Sequence, residues 1–168
     1  LVVCKTPMAK SITRRTLAGF RDTQVNALYY KDLIKNISEN PDAVVNTFRD
    51  GKRFWKINEN TTMKFDAIVG NPPYQVMDGG ARASASPVYN IFIDVSKRIR
   101  AHYISMIMPA RWYAGGRGLD EFRTSMLNDK CIKRLDDFTN PELVFPGTNI
   151  RGGICYFLRD RENEKMCH

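Results

Sequence analysis

Asn71-Pro72-Pro73-Tyr74 gathers in four consecutive residues the groups needed to hold a planar amine. Each proline fixes its own φ near about −65°, lacks an N–H and pushes the residue before it towards extended geometry, so the turn is stiff and rich in acceptors. Asn71 offers a side-chain carbonyl, and the backbone carbonyl of Pro72 can face the same way. Two fixed acceptors suit an –NH2 group. An exocyclic amine on an aromatic ring is a poor nucleophile because its lone pair is delocalised; gripping both hydrogens lets the nitrogen pyramidalise and aims the lone pair at an electrophile. Tyr74 adds a flat face beside those acceptors, and an aromatic stacked on a base is worth about 1–3 kcal/mol.

The elements around this turn must present it at an accessible edge. Residues 65–70, an apolar run ending in Gly70, predict a buried strand. A strand running into a tight polar turn places that turn at the carboxyl edge of a sheet, where open α/β folds bind ligands. Residues 88–100 predict an amphipathic helix, with Val88, Ile91, Phe92, Val95 and Ile99 at helical spacing, and residues 102–109 a buried strand. Strand, turn, helix and strand make a βαβ unit. A short helix over 119–127 and a strand over 131–138 follow. Earlier in the chain, Pro7 and Gly19 bracket a helix over 7–20, residues 24–30 predict a strand, and Pro41 opens a helix with Val44, Val45 and Phe48 on one face. Phe54 and Trp55 are expected to pack on the core. Residues 77–86, with Gly79, Gly80, Ala81, Ser84 and Ala85, predict a mobile loop that leaves Arg82 available to a phosphate. Gly115, Gly116 and Gly118 follow a strand end, where a flexible turn into the next helix is the commoner explanation than a phosphate cradle. The expected fold class is α/β, a mostly parallel sheet with flanking helices.

The wording of residues 65–75, Phe-Asp-Ala-Ile-Val-Gly-Asn-Pro-Pro-Tyr-Gln, resembles motif IV of the N6-adenine DNA methyltransferases, most of all the gamma-type enzymes of bacterial restriction-modification systems. Pro109-Ala110-Arg111-Trp112-Tyr113 resembles motif VI of that family, and Val144-Phe145-Pro146-Gly147 followed by Gly152-Gly153-Ile154 resembles its motif VIII hairpin. The resemblance implies a Rossmann-like, S-adenosylmethionine-dependent core and transfer of a methyl group to the amine of an adenine flipped out of double-stranded DNA. Asn71, Pro72, Pro73 and Tyr74 would be the catalytic stretch, and Tyr74 and Phe145 would stack on the base. Asp32 and Asn71 would contact the cofactor, and Arg82, Arg111, Asn149 and Arg151 would contact DNA. No metal is called for. The turn where the family carries a ribose-binding acid reads Cys4-Lys5-Thr6 and has no carboxylate. No glycine-rich cofactor turn precedes Asn71, since Gly19 and Gly51 are isolated. The expectation is a single partial domain lacking the first strand and that turn, with 1–64 the remainder of the cofactor half and 65–168 the target-base half. Such a chain is expected to bind S-adenosylmethionine weakly or not at all by itself. A specificity domain and a restriction nuclease, fused or separate, are the expected partners.

The four-residue motif is shared with glutamine methyltransferases acting on release factors and with some RNA methyltransferases, so protein and RNA substrates stay open beside DNA, as does a non-catalytic domain of a larger restriction or phage-defence protein. Composition narrows the field elsewhere. The chain has 168 residues, 26 Lys plus Arg against 18 Asp plus Glu, and a net charge of +8, which suits a polyanionic partner. Residues 1–64 carry 12 basic and 6 acidic side chains, while 65–168 carry 14 and 12. Cys4, Cys131, Cys155 and Cys167 have neither Cys-x-x-Cys spacing nor a histidine cluster beside them, which argues against a zinc site or a disulfide framework. His102 and His168 are isolated. No apolar run approaches the ~20 residues of a membrane span, and cytoplasmic residence is the expectation.

Overall fold

The computed structural model describes residues 1–4, 6–19, 25–55, 57, 61–77, 85–148 and 150–163, without the side chains of Ala18, Phe54 and Met77. The chain divides into two compact units, Leu1–Met63 and Lys64–His168.

In the first unit, β1 (Val2–Cys4) pairs in parallel with β2 (Ala27–Tyr29), joined through α1 (Pro7–Ala18). Thr6 caps α1, its Oγ1 accepting from Ala9 N–H at 3.1 Å, and Pro7 occupies the first turn, where a missing N–H is harmless. Gly19, at φ 55°, ends the helix close to its expected limit. Two helices escape the sequence reading, α2 (Leu33–Glu39) and α4 (Gly51–Trp55), both too short to show a convincing period. Between them α3 (Pro41–Arg49) buries Val44, Val45 and Phe48 on the expected face, capped by Asn40, whose Oδ1 accepts from Ala43 N–H at 3.1 Å. The Phe48 ring meets Tyr30 edge to face at 5.8 Å. Trp55 is half-buried.

The second unit is built on a four-stranded sheet. Its strands are β3 (Ala67–Gly70), β6 (Tyr103–Pro109), β7 (Ile132–Phe138) and β8 (Ile154–Asp160), in the order β3-β6-β8-β7. β3 and β6 are parallel, while β8 runs against both β6 and β7. Three of the four strands therefore point one way, as a mostly parallel sheet requires, and the inserted β8 is reversed. Helix α5 (Tyr89–Ile99) links β3 to β6, and α6 (Asp120–Leu127) precedes β7. Residues of one parity in the strands, Ile104, Met106 and Met108 of β6 with Cys155 and Phe157 of β8, form the core with Tyr89 and Ile93 of α5 and Phe122 and Met126 of α6. Asp129 ties this layer together, accepting from Lys97 Nζ and Arg159 Nε, each at 2.9 Å. Burial alone raises its carboxyl pKa, but the hydrogen bonds and charges of Lys97 and Arg159 prevail and hold it below the ordinary range.

Two expectations change here. The strand before the motif is not buried: β3 is an edge strand among the described residues, and Val69 is 77% exposed. An unbroken apolar run signals burial only where neighbours cover both faces and both edges, and β3 pairs on one edge alone. The stretch taken as a mobile loop begins and ends in strands, β4 (Gln75–Met77) and β5 (Ala85–Pro87), paired antiparallel. Residues 78–84 between them, Arg82 included, lie outside the described residues. The glycines after β6 lead into α6 as a turn, with the Gly116 N–H donating to Asp120 Oδ1 at 2.9 Å at the start of that helix.

Candidate active site

The motif leaves β3 directly, Gly70 pairing with Met106 of β6. Because β6 ends at Pro109, opposite Ile154 of β8, and Ile154 also pairs with Phe138 at the end of β7, three connections leave the same edge of the sheet. They are the motif at 71–74, the turn from Ala110, and the loop 139–153. Asn71, Pro72, Pro73, Tyr74, Arg111, Phe145 and Arg151 thus gather at one edge of the second unit. Asp32 lies in the first unit, and Asn149, like Arg82, falls outside the described residues.

The four motif residues differ in how they are held. Asn71 is exposed, and among the described residues its side chain has no internal partner, leaving its carbonyl open to a donor. Pro72 is buried and anchors the turn. Tyr74 is half-buried: its backbone carbonyl accepts from Val88 N–H at 3.2 Å, which fixes the turn to the start of α5. Its hydroxyl points inward, without an internal hydrogen bond, so what the residue leaves exposed is not its hydroxyl. Burial raises the pKa of that hydroxyl, and the Cys155 thiol adds to the effect.

Beneath the motif lies a layer that no sequence signal exposed. Cys155, fully buried on β8, accepts from Trp112 Nε1–H at 3.4 Å, and burial pushes its thiol pKa up, which makes it unreactive. The hydroxyls of Tyr89 and Tyr113 and the Oδ1 of Asn90 are also buried without an internal partner. Burial, then the Cys155 thiol, pushes the Tyr89 pKa up to about 12, against the opposing charge of Arg111. The Tyr113 hydroxyl faces Cys155 and Asp137 without hydrogen-bonding geometry to either, and burial raises its pKa as well.

The loop carrying Phe145 is held by its backbone. Phe145 N–H donates to Pro141 C=O at 2.8 Å, and its own carbonyl accepts from both the amide and the hydroxyl of Thr148. Phe145 is half-buried and Arg151 is exposed. The loop re-enters the sheet through Gly153, at φ 79°, whose carbonyl accepts from Ala110 N–H at 3.1 Å. A Cβ at Gly153 would stand 2.8 Å from the Phe138 carbonyl oxygen, so glycine is required there. The exposed Arg111 lays its aliphatic stem across Gly152, close enough that a Cβ there would meet its Cγ at 2.8 Å.

On the cofactor side, Asp32 follows β2 with left-handed backbone (φ 52°, ψ 34°) and leads into α2. Its carbonyl accepts from Asn36, while its exposed carboxylate has no internal partner among the described residues and can accept from a hydroxyl or amine. No glycine-rich turn follows a strand in the described part of the first unit. The described residues contain no cluster of three or more metal-ligating side chains, and no helix among them is long and apolar enough to cross a membrane.

An uncharacterized adenine-specific methylase of Mycoplasma pneumoniae is 34% identical over 99 residues, which cover 57% of this chain and 24% of the relative. The chain thus spans about a quarter of the length of that curated relative. A crystal structure of the Thermoplasma acidophilum protein 1320 aligns with 96% of this chain and 66% of that one, at 17% identity and a TM-score of 0.45. Residues 1–145, which include the Asn71–Tyr74 turn, match the family described as Eco57I restriction-modification methylase, and the chain belongs to that family.

Proposed function

We propose that this chain is the catalytic part of an N6-adenine DNA methyltransferase of a restriction-modification system. The observation that carries the reading is the state of Asn71: an exposed amide with no internal partner among the described residues, at the carboxyl edge of a sheet, followed by a proline sunk into the protein. In this reading Asn71 Oδ1 and the Pro72 carbonyl each accept one hydrogen of the adenine amine, while Tyr74 and Phe145 stack on the extruded ring. Stacking offsets part of the few kcal/mol, by order of magnitude, that flipping a base costs. The prolines hold the two acceptors in place before the base arrives, so little reorganisation is needed as positive charge develops on the nitrogen. Arg111 and Arg151 stand at the same edge, where a phosphate flanking the flipped nucleotide would pass.

A methylase needs a methyl donor, and S-adenosylmethionine is the one this family resemblance implies. The residues present fit it in part. Asp32, in the first unit, supplies an exposed carboxylate that can accept from a hydroxyl or amine of the adenosine part, but the described residues hold no glycine turn for the methionine portion. When bound, the cofactor supplies an electrophilic methyl; the residues of this chain orient the amine that receives it. The sheet order with its one reversed strand supports a Rossmann-like core, and residues 1–64 are read as the remainder of the cofactor half. Sequence specificity and DNA cleavage belong in this reading to partner domains.

The test is transfer of tritiated methyl from S-adenosylmethionine by the full-length protein to DNA, RNA and protein in parallel. Label on the adenine of duplex DNA is expected, with Asn71→Ala lowering the rate by at least about a hundredfold while the far-ultraviolet circular dichroism is unchanged. An active Asn71→Ala protein removes the role of the turn, and label on RNA or protein instead removes the DNA assignment.

A further inference from the structure

A second charged feature belongs wholly to the first unit. Along one side of α1 runs a groove of about 470 Å³, lined chiefly by Lys10, Ser11, Arg14 and Arg15, with Pro7 and Val25 beside them. Among the described residues that line it there is no carboxylate, and α1 contains no acidic residue. Among the described residues, none of the three cations has an ion pair or a side-chain hydrogen bond. This contrasts with the second unit, where Lys97 and Arg159 close on Asp129 and Arg134 closes on Asp136. Lys10 and Arg14 stand one helical turn apart, about 6 Å along the axis, and like charges at that spacing repel. The chain therefore holds together a row of cations that nothing within the described fold neutralises.

We propose that this groove binds the phosphate backbone of duplex DNA; the proposal rests on DNA being the substrate, as argued above. Cations spread along a turn of helix suit successive phosphates of a strand better than one compact anion. Arginine presents paired N–H groups to a phosphate, and the Ser11 hydroxyl can donate to a phosphate oxygen. Contacts of this kind carry no sequence information; they raise affinity and set orientation, leaving base recognition to other groups.

The experiment measures binding of this chain to a fluorescent 20-base-pair duplex, without cofactor, at several potassium chloride concentrations. Each neutralised phosphate contributes about 0.9 to the slope of log affinity against log salt. Replacing Lys10, Arg14 and Arg15 together by Gln should reduce that slope by about 2 to 3 and weaken binding alike on unrelated sequences. Arg14→Gln alone should remove about 0.9, which covers the case in which the triple variant unfolds. The charge-conserving pair Arg14→Lys and Arg15→Lys should keep the slope, as should Asn71→Ala. An unchanged slope in the Gln variants, or no binding by the parent chain, overturns the proposal. Displacement of the DNA by micromolar inorganic pyrophosphate also overturns it, in favour of a small phosphate ligand. The two readings fail separately: a dead Asn71→Ala enzyme with an unchanged slope in the Gln variants sinks only the groove, and an active one with a reduced slope sinks only the base-holding turn.

Discussion

The two units of this chain spend their residues differently. The second devotes seven-residue strands β6, β7 and β8 and one continuous core to holding a four-residue turn still, and the charges of its core layer are paired. The first has two three-residue strands, a small core around Ile37, Val44, Val45 and Phe48, and most of the chain's positive excess, part of it unpaired along α1. A group that must meet a nitrogen within a fraction of an ångström needs a stiff support. Cations that meet phosphates through long side chains do not. The difference teaches that rigidity in this chain is concentrated where geometry decides the chemistry.

The largest break in that contrast should come from Asp129→Asn. Removing the negative charge shared by Lys97 and Arg159 leaves two largely buried cations without a counter-charge. A loss of about 3 kcal/mol is expected, read as faster amide exchange throughout β6 and β8 with β1 and β2 unaffected. Its pH dependence has a definite sign. The folded pKa of Asp129 is depressed, so its contribution is complete above the unfolded value of about 4 and is lost as pH falls through the lower folded value. Acid titration of the parent protein should therefore weaken the second unit below about pH 4, and Asp129→Asn should flatten that part of the profile.

Gly153→Ala tests whether the loop that carries Phe145 and Arg151 depends on its entry into β8. The new Cβ meets the Phe138 carbonyl and the backbone is left-handed, so a thermal unfolding measurement should show a loss of about 1–3 kcal/mol. The smallest effect sharpens the role of the motif. Tyr74→Phe should leave both stability and methyl transfer of the full-length enzyme close to the parent, because the hydroxyl has no internal partner to lose. Tyr74→Ala should lower kcat/KM by the stacking contribution, about 1–3 kcal/mol. Equal losses in the two variants would show that the hydroxyl matters more than the ring.

Much of this was legible from local pattern. The turn after an apolar strand, the helices opened by Pro7 and Pro41, the buried strand over 102–109 and the helix over 88–100 all announce themselves through the pattern of neighbours in the chain. Even there the detail shifts: Val88 and Val95 of the predicted stripe are buried, but Ile91, Phe92 and Ile99 are half-buried, while Tyr89, Ile93 and Ser96 are buried beside them. Large apolar side chains mark an amphipathic helix, but the layer it packs on selects the face. Short helices such as α2 and α4, and the strands β4 and β5 flanking a glycine-rich run, carry too few residues for a period to emerge.

What the chain determined by itself is the chemistry of the turn: two prolines, an amide and an aromatic ring in fixed order, stiff in any surroundings because the pyrrolidine ring restricts φ locally. Only the tertiary structure decided that β8 runs backwards between β6 and β7, that β3 lies at an edge of the sheet among the described residues, and that Tyr74 turns its hydroxyl inward towards Cys155. Those outcomes depend on pairings such as Met106 with Phe157, residues far apart in the chain, whose contact free energy appears only once the whole sheet is assembled.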